Sequence, residues 1–148
     1  MRYLHDDELQ IATRFLFLSM AIVVLNQDMN HIKDGKFKIN EPYLDLIERM
    51  TLLARKERRK LRKIMQDKKM QIIHLNKNDS FSSFLFLCQG REEKRNYFNP
   101  AIRKKVEEVI RSLMGKALLS FQDSAVVNNG CTINDVGGKN SPTSFLCL

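Results

Sequence analysis

Few side chains in this chain of 148 residues are spaced for chemistry. The three histidines, His5, His31 and His74, stand far apart. In "DMNH", Asp28 and His31 are three residues apart, which on a helix puts both on one face and offers two metal ligands. A metal centre in a helical bundle also takes carboxylates from facing helices and a Glu-x-x-His repeat, and no Glu-x-x-His occurs here. The pair reads as a polar helix end, and no metal is implied. Cys88 lies in "FLFLCQG" among Phe84, Leu85 and Leu87. A nucleophilic thiol needs an electropositive, accessible setting, so Cys88 reads as a small buried hydrophobe. "GGK" at 137–139 lacks the earlier glycine of a phosphate loop and has Asn140 where Ser or Thr belongs. The acid groups "DDE" and "EE" suit a helix N-terminus and a wet surface. The expectation is a protein that is not an enzyme, with no cofactor and no small-molecule substrate.

The exception is electrostatic. In "RKERRKLRK", residues 55–63, seven of nine side chains are basic and only Glu57 is acidic. Extended to Lys69, the run holds nine bases against Glu57 and Asp67. On a helix, Arg55 lies over Arg59, Lys56 over Lys60, Arg58 over Arg62, and Arg59 over Lys63. Each like pair costs a few tenths of a kcal/mol, so the set costs roughly 1–2 kcal/mol before salt screening. A solvated face would mix its signs. Either acids elsewhere neutralise the run, with Glu92 and Glu93 as internal candidates, or an external anion does. The candidate binding residues are Arg55, Lys56, Arg58, Arg59, Arg62 and Lys63. The run has no aromatic residue for stacking on single strands. It has one Gln and no Asn for reading bases, so a nucleic acid would be held by its phosphates, without sequence preference. A helix-turn-helix would set Glu107 and Glu108 of the last helix against phosphates. Membrane-surface association is a further option, although Leu61, Ile64 and Met65 offer little apolar face.

The elements that must position this run follow from composition and period. Apolar residues make up 43% and charged residues 28% of the chain, which suits one globular domain. The net charge is +8, compatible with polyanionic partners. Three irregularly spaced cysteines point to a reducing cytoplasm. The N-terminus is acidic where a signal peptide is basic. The longest apolar run, residues 15–25, falls short of the roughly 20 residues of a membrane span. Ile11, Phe15, Leu18, Ile22, Leu25, Met29 and Ile32 form a heptad-like seam on a first helix, and Phe17, Met20, Ala21 and Val24 add a second apolar face. A helix apolar on both faces sits centrally or joins a homodimer through its seam. Gly35 ends it in the left-handed conformation.

Asn40 and Pro42 open a second helix reaching Lys69, which carries the basic run. "MQIIHLN" at 70–76 is a short extended segment. "NDS" caps a third helix, with Phe81, Phe84, Leu85 and Cys88 on one face, weakened at Gly90, which "REEKRNYF" extends or frays. Asn99 and Pro100 start a fourth helix that Gly115 closes. The last 32 residues hold few charges and no helical period beyond "ALLSF". The fold class expected is all-α: a four-helix bundle-like domain over residues 1–120, with one short extended segment and a disordered C-terminal tail over 121–148.

The pattern "PYLDLIERM" followed by "FLFLCQGREEKRNYFNPAIRKKVEEVI" resembles the YhjD-like family of small proteins from Bacillus and its relatives, across roughly residues 7 to 115. The resemblance implies a bacterial, cytoplasmic, mostly helical protein and transfers no functional residue. Together these features point to a non-enzymatic interaction or regulatory module that self-associates or takes a protein partner. The alternatives are nucleic-acid binding through the basic helix and association with a membrane surface.

Overall fold

The computed structural model describes residues 3–135, with side chains through residue 122. The order of elements is α1 (Asp6–Asp34), α2 (Glu41–Asp67), β1 (Met70–Lys77), β2 (Phe81–Cys88), β3 (Arg91–Phe98) and α3 (Asn99–Asp135). The all-α, four-helix expectation is therefore overturned. The segment read as a third helix is a strand, and three strands form one antiparallel sheet in the order β1-β2-β3.

The reason lies in an ambiguity of "FSSFLFLC". Phe81, Phe84, Leu85 and Cys88 fit helical spacing, but Ser82, Phe84, Phe86 and Cys88 alternate as one face of a strand, and these four are buried. The turns decide. Asn78 Oδ1 accepts hydrogen bonds from the backbone N–H groups of Ser80 and Phe81, at 2.8 and 2.7 Å, which reverses the chain between β1 and β2. Gln89 and Gly90 both have positive φ, 49° and 80°, between the paired Cys88 and Arg91. That is a two-residue hairpin turn with left-handed residues at both central positions. Gly90 is thus a turn residue, not a weak point in a helix. "REEKRNYF" becomes β3, with Arg91, Glu93, Arg95 and Tyr97 facing the same way as the buried residues of β2.

The other helices follow the expected starts more closely than the expected stops. At α1, Asp6, Asp7 and Glu8 occupy the first turn, and the backbone N–H of His5 donates to Glu8 Oε2 at 3.0 Å. Gly35 ends α1 with an extended backbone, φ −75° and ψ 167°, not a left-handed one. Glycine fits there because a Cβ would approach the His31 carbonyl oxygen to 2.9 Å. Pro42 sits in the first turn of α2. Lys69, with φ 54°, turns the chain from α2 into β1. Gly115 does not close α3. The helix runs on through buried Ala117, and Arg49 of α2 donates to Ser120 Oγ at 2.8 Å while lying 4.4 Å above the Phe121 ring. The α3 backbone is helical to Asp135, and the rest of the expected tail over 121–148 lies outside the described residues.

Two apolar clusters meet on α1. Phe17, Leu18, Ala21 and Leu25 pack against Met50 and Ala54 of α2 and against Val106, Val109, Leu113 and Ala117 of α3. Ala12 joins Met65, Met70, Phe84, Phe86 and Cys88, with Ile11, Phe15 and Leu16 against them. The sheet therefore covers the side of α1 that α2 and α3 leave open, but only along its N-terminal half. This accounts for a helix apolar nearly all round. By length and composition α1 could cross a membrane, and 44% of its most apolar window is buried in these clusters. Met20 is the last residue of α1 against the sheet cluster, and Val23 is 55% exposed.

Candidate anion-binding face

The basic run occupies the C-terminal half of α2, and helix geometry sorts it into two rows. Arg55, Arg58, Arg59 and Arg62 repeat at steps of three, one and three, and they converge on one groove with Ser19, Ile22 and Val23 of α1. The groove holds about 440 Å³. Lys56 and Lys63 are exposed one step round the helix, with Lys60, and do not line the groove. The six candidate residues thus split into an arginine wall and a lysine flank.

Arg58 is the anchor of the wall. Its Nε donates to Ser19 Oγ at 2.8 Å, and its guanidinium lies 4.7 Å above the Phe15 ring. Ser19 in turn donates to the Phe15 carbonyl at 2.7 Å. Arg58 is half-buried, whereas Arg55, Arg59 and Arg62 are exposed. A guanidinium offers a planar fork of donors that matches phosphate or carboxylate oxygens two at a time.

The acids that could have neutralised the run are engaged elsewhere. Glu57 points to α1 and takes both Arg14 donors, Nε at 2.8 Å and Nη2 at 3.0 Å. The Arg14 guanidinium holds the Glu57 carboxyl below the ordinary glutamate range, against the opposing effect of burial. Glu93 pairs with Arg95 at 2.6 Å on β3 itself. Glu92 shares a separate surface hollow with Lys69, Gln71 and Gly90. Among the described residues no carboxylate lies within ion-pair distance of Arg55, Lys56, Arg58, Arg59, Lys60, Arg62 or Lys63.

A second charged cluster sits just past the basic run, where Lys68 caps the end of α2, and it is closed. Arg91 of β3 donates to both oxygens of Glu8, at 2.6 and 2.7 Å, with side chains 16% and 8% exposed. Burial alone would raise the Glu8 carboxyl, but the bonds from Arg91 and the His5 backbone hold it below its usual value. Cys88 lies against this pair, 3.8 Å from Arg91, and donates to the Lys68 carbonyl at 3.6 Å. Burial pushes its thiol up, and the Glu8 carboxylate adds to the effect. The thiol therefore stays protonated at neutral pH, as a small buried hydrophobe does. Burial likewise pushes the Tyr97 phenol up. Asp28 and His31 are both exposed near the end of α1. Among the described residues no three His, Cys, Asp or Glu side chains come together to hold a metal.

Sequence reasoning located the basic residues and missed their partner wall on α1. Its one signal was Ser19, the single polar residue in the run 15–25.

The family model described as "YhjD protein" matches residues 3–118 of this chain. The curated "Uncharacterized protein YhjD" of Bacillus subtilis (strain 168) is 33% identical over 110 residues, covering 74% of this chain and 92% of that protein. No solved structure matches the chain.

Proposed function

The chain belongs to the YhjD protein family, and on that footing we propose that it is a non-enzymatic binding module whose α2 holds a nucleic acid by its phosphates. One observation carries the reading. Four arginines converge on a single groove with no carboxylate in ion-pair range among the described residues, while Glu57 and Glu93 are held by Arg14 and Arg95. A helix that retains about 1–2 kcal/mol of internal repulsion gains most when an anion arrives. From Arg55 to Arg62 the wall spans about 10 Å along the helix, enough for several phosphates of one strand. The absence of an aromatic residue in the run favours duplex backbone over stacked single strands.

The test is fluorescence anisotropy with labelled duplex DNA at rising salt, beside an arm with vesicles of anionic phospholipid. The reading expects DNA binding that weakens steeply with salt. Vesicle binding without DNA binding at low salt would replace it with membrane-surface association.

A second reading, self-association, is favoured by the outer face of the sheet. Ile73, Leu75, Phe81 and Phe98 are all exposed there, and the two Phe rings lie 5.6 Å apart. Sedimentation at high micromolar concentration tests it, and a strict monomer removes it.

A further inference from the structure

A larger groove lies on the other side of Val23, between α1, α3 and the end of the sheet. It holds about 1040 Å³, at the upper limit of ordinary small-ligand sites. Its walls are apolar: Met20 and Val24 come from α1, and Val106, Ile110 and Met114 from α3. The groove exists because the sheet stops short of the C-terminal half of α1. It shares only Val23 with the arginine groove.

Polarity is concentrated at the sheet end. Ser82 donates to Asn99 Oδ1 at 2.7 Å, and Asn99 Nδ2 donates to the Asn78 carbonyl at 2.9 Å, which locks β2 to the start of α3. Two cations flank this lock. Lys77 is the strand partner of Ser82, and Arg103 stands one helical turn beyond Asn99. Both are exposed, and neither has a carboxylate within ion-pair distance among the described residues. The one carboxylate on the rim, Glu107, is taken by Arg111 at 3.1 Å.

Two unpaired cations at one end of an apolar trough are complementary to a molecule with one anionic end and one apolar body. We propose that this groove binds a medium-chain fatty acid. The carboxylate sits at Lys77 and Arg103, and the acyl chain lies along Val24, Val106, Ile110 and Met114. From Arg103 to Met114 the trough runs about 16 Å along α3, which suits an extended chain better than a compact metabolite. Burying the chain supplies the affinity, and the two cations set its direction.

Calorimetric titration with laurate, kept below its micelle concentration, tests the assignment on the full chain. One saturable site is expected. Lys77→Gln with Arg103→Gln should weaken it by about tenfold. Met114→Gln, at a half-exposed position that the fold tolerates, should weaken it by about fivefold. Two results overturn the proposal. One is the absence of saturable binding in a wild-type chain that melts cooperatively. The other is laurate binding that neither variant changes. If sedimentation shows a dimer that Met114→Gln dissociates, with no laurate binding, the groove is an interface between copies and the proposal also fails.

Discussion

Two regions of this molecule carry dense charge and treat it in opposite ways. At one end of α2, Glu8 and Arg91 form a matched, two-pronged pair that is nearly closed to water. Along the second half of α2, arginines and lysines stack over one another in the open, and among the described residues no carboxylate is in ion-pair range of them. The first arrangement is costly to desolvate and tolerable because both carboxylate oxygens accept hydrogen bonds, from Arg91 and the His5 backbone. The second costs little in desolvation but stores repulsion that no ion pair among the described residues relieves. Matched charge joins α1 to the sheet, whereas unmatched charge is kept for something outside.

The largest effect should come from breaking the matched pair. Glu8→Gln leaves the Arg91 charge against a neutral amide, and should lower the urea midpoint more than any substitution named below. Its pH dependence should differ too. Because the folded Glu8 carboxyl lies below its usual value, its contribution is full above about pH 4.3, the unfolded value, and is lost as pH falls through the folded value. The wild-type chain should therefore lose stability below that pH more steeply than Glu8→Gln. Equal acid slopes would break the contrast between the two regions.

Relieving the unmatched region should act with the opposite sign. The variant Arg55→Gln, Arg59→Gln, Arg62→Gln, Lys63→Gln removes three of the four stacked like pairs, keeping Lys56 over Lys60, and leaves Arg58 on Ser19 and Phe15. It should be more stable than wild type by about 1 kcal/mol at low salt, and the gain should shrink as salt rises. A loss of stability would mean that these cations do structural work. The smallest effect concerns α3. A Cβ at Gly115 meets nothing within 4 Å, and the helix continues past it. Gly115→Ala should add about 0.5–1 kcal/mol. Destabilisation would mean that α3 ends there.

The sequence shows the three long helices and their N-terminal signals clearly, because their apolar spacing is long and their caps are explicit. It hides the sheet. Phe81, Phe84, Leu85 and Cys88 satisfy a helical stripe as well as the alternation Ser82, Phe84, Phe86 and Cys88 satisfies a strand, and eight residues are too few for period alone to choose. The pair Gln89–Gly90 carried the deciding information, as a hairpin turn between two runs of strand length. Missing the sheet also concealed why α1 is apolar nearly all round, since Ile11, Ala12, Phe15 and Leu16 belong with Phe84, Phe86 and Met70. The basic run was legible as an excess of one sign. That its arginines face α1 and its lysines do not depends on the orientation of α2, which the periodicity of the run alone does not set.

The central claim is that the arginine wall holds a nucleic acid through phosphate contacts. Its most direct test is the slope of log affinity against log salt for duplex DNA, wild type against the four-residue glutamine variant. Each lost phosphate contact lowers the slope by about 0.9, so losing the three wall arginines Arg55, Arg59 and Arg62 predicts a reduction of about 3. An unchanged slope in a variant that remains folded would contradict it.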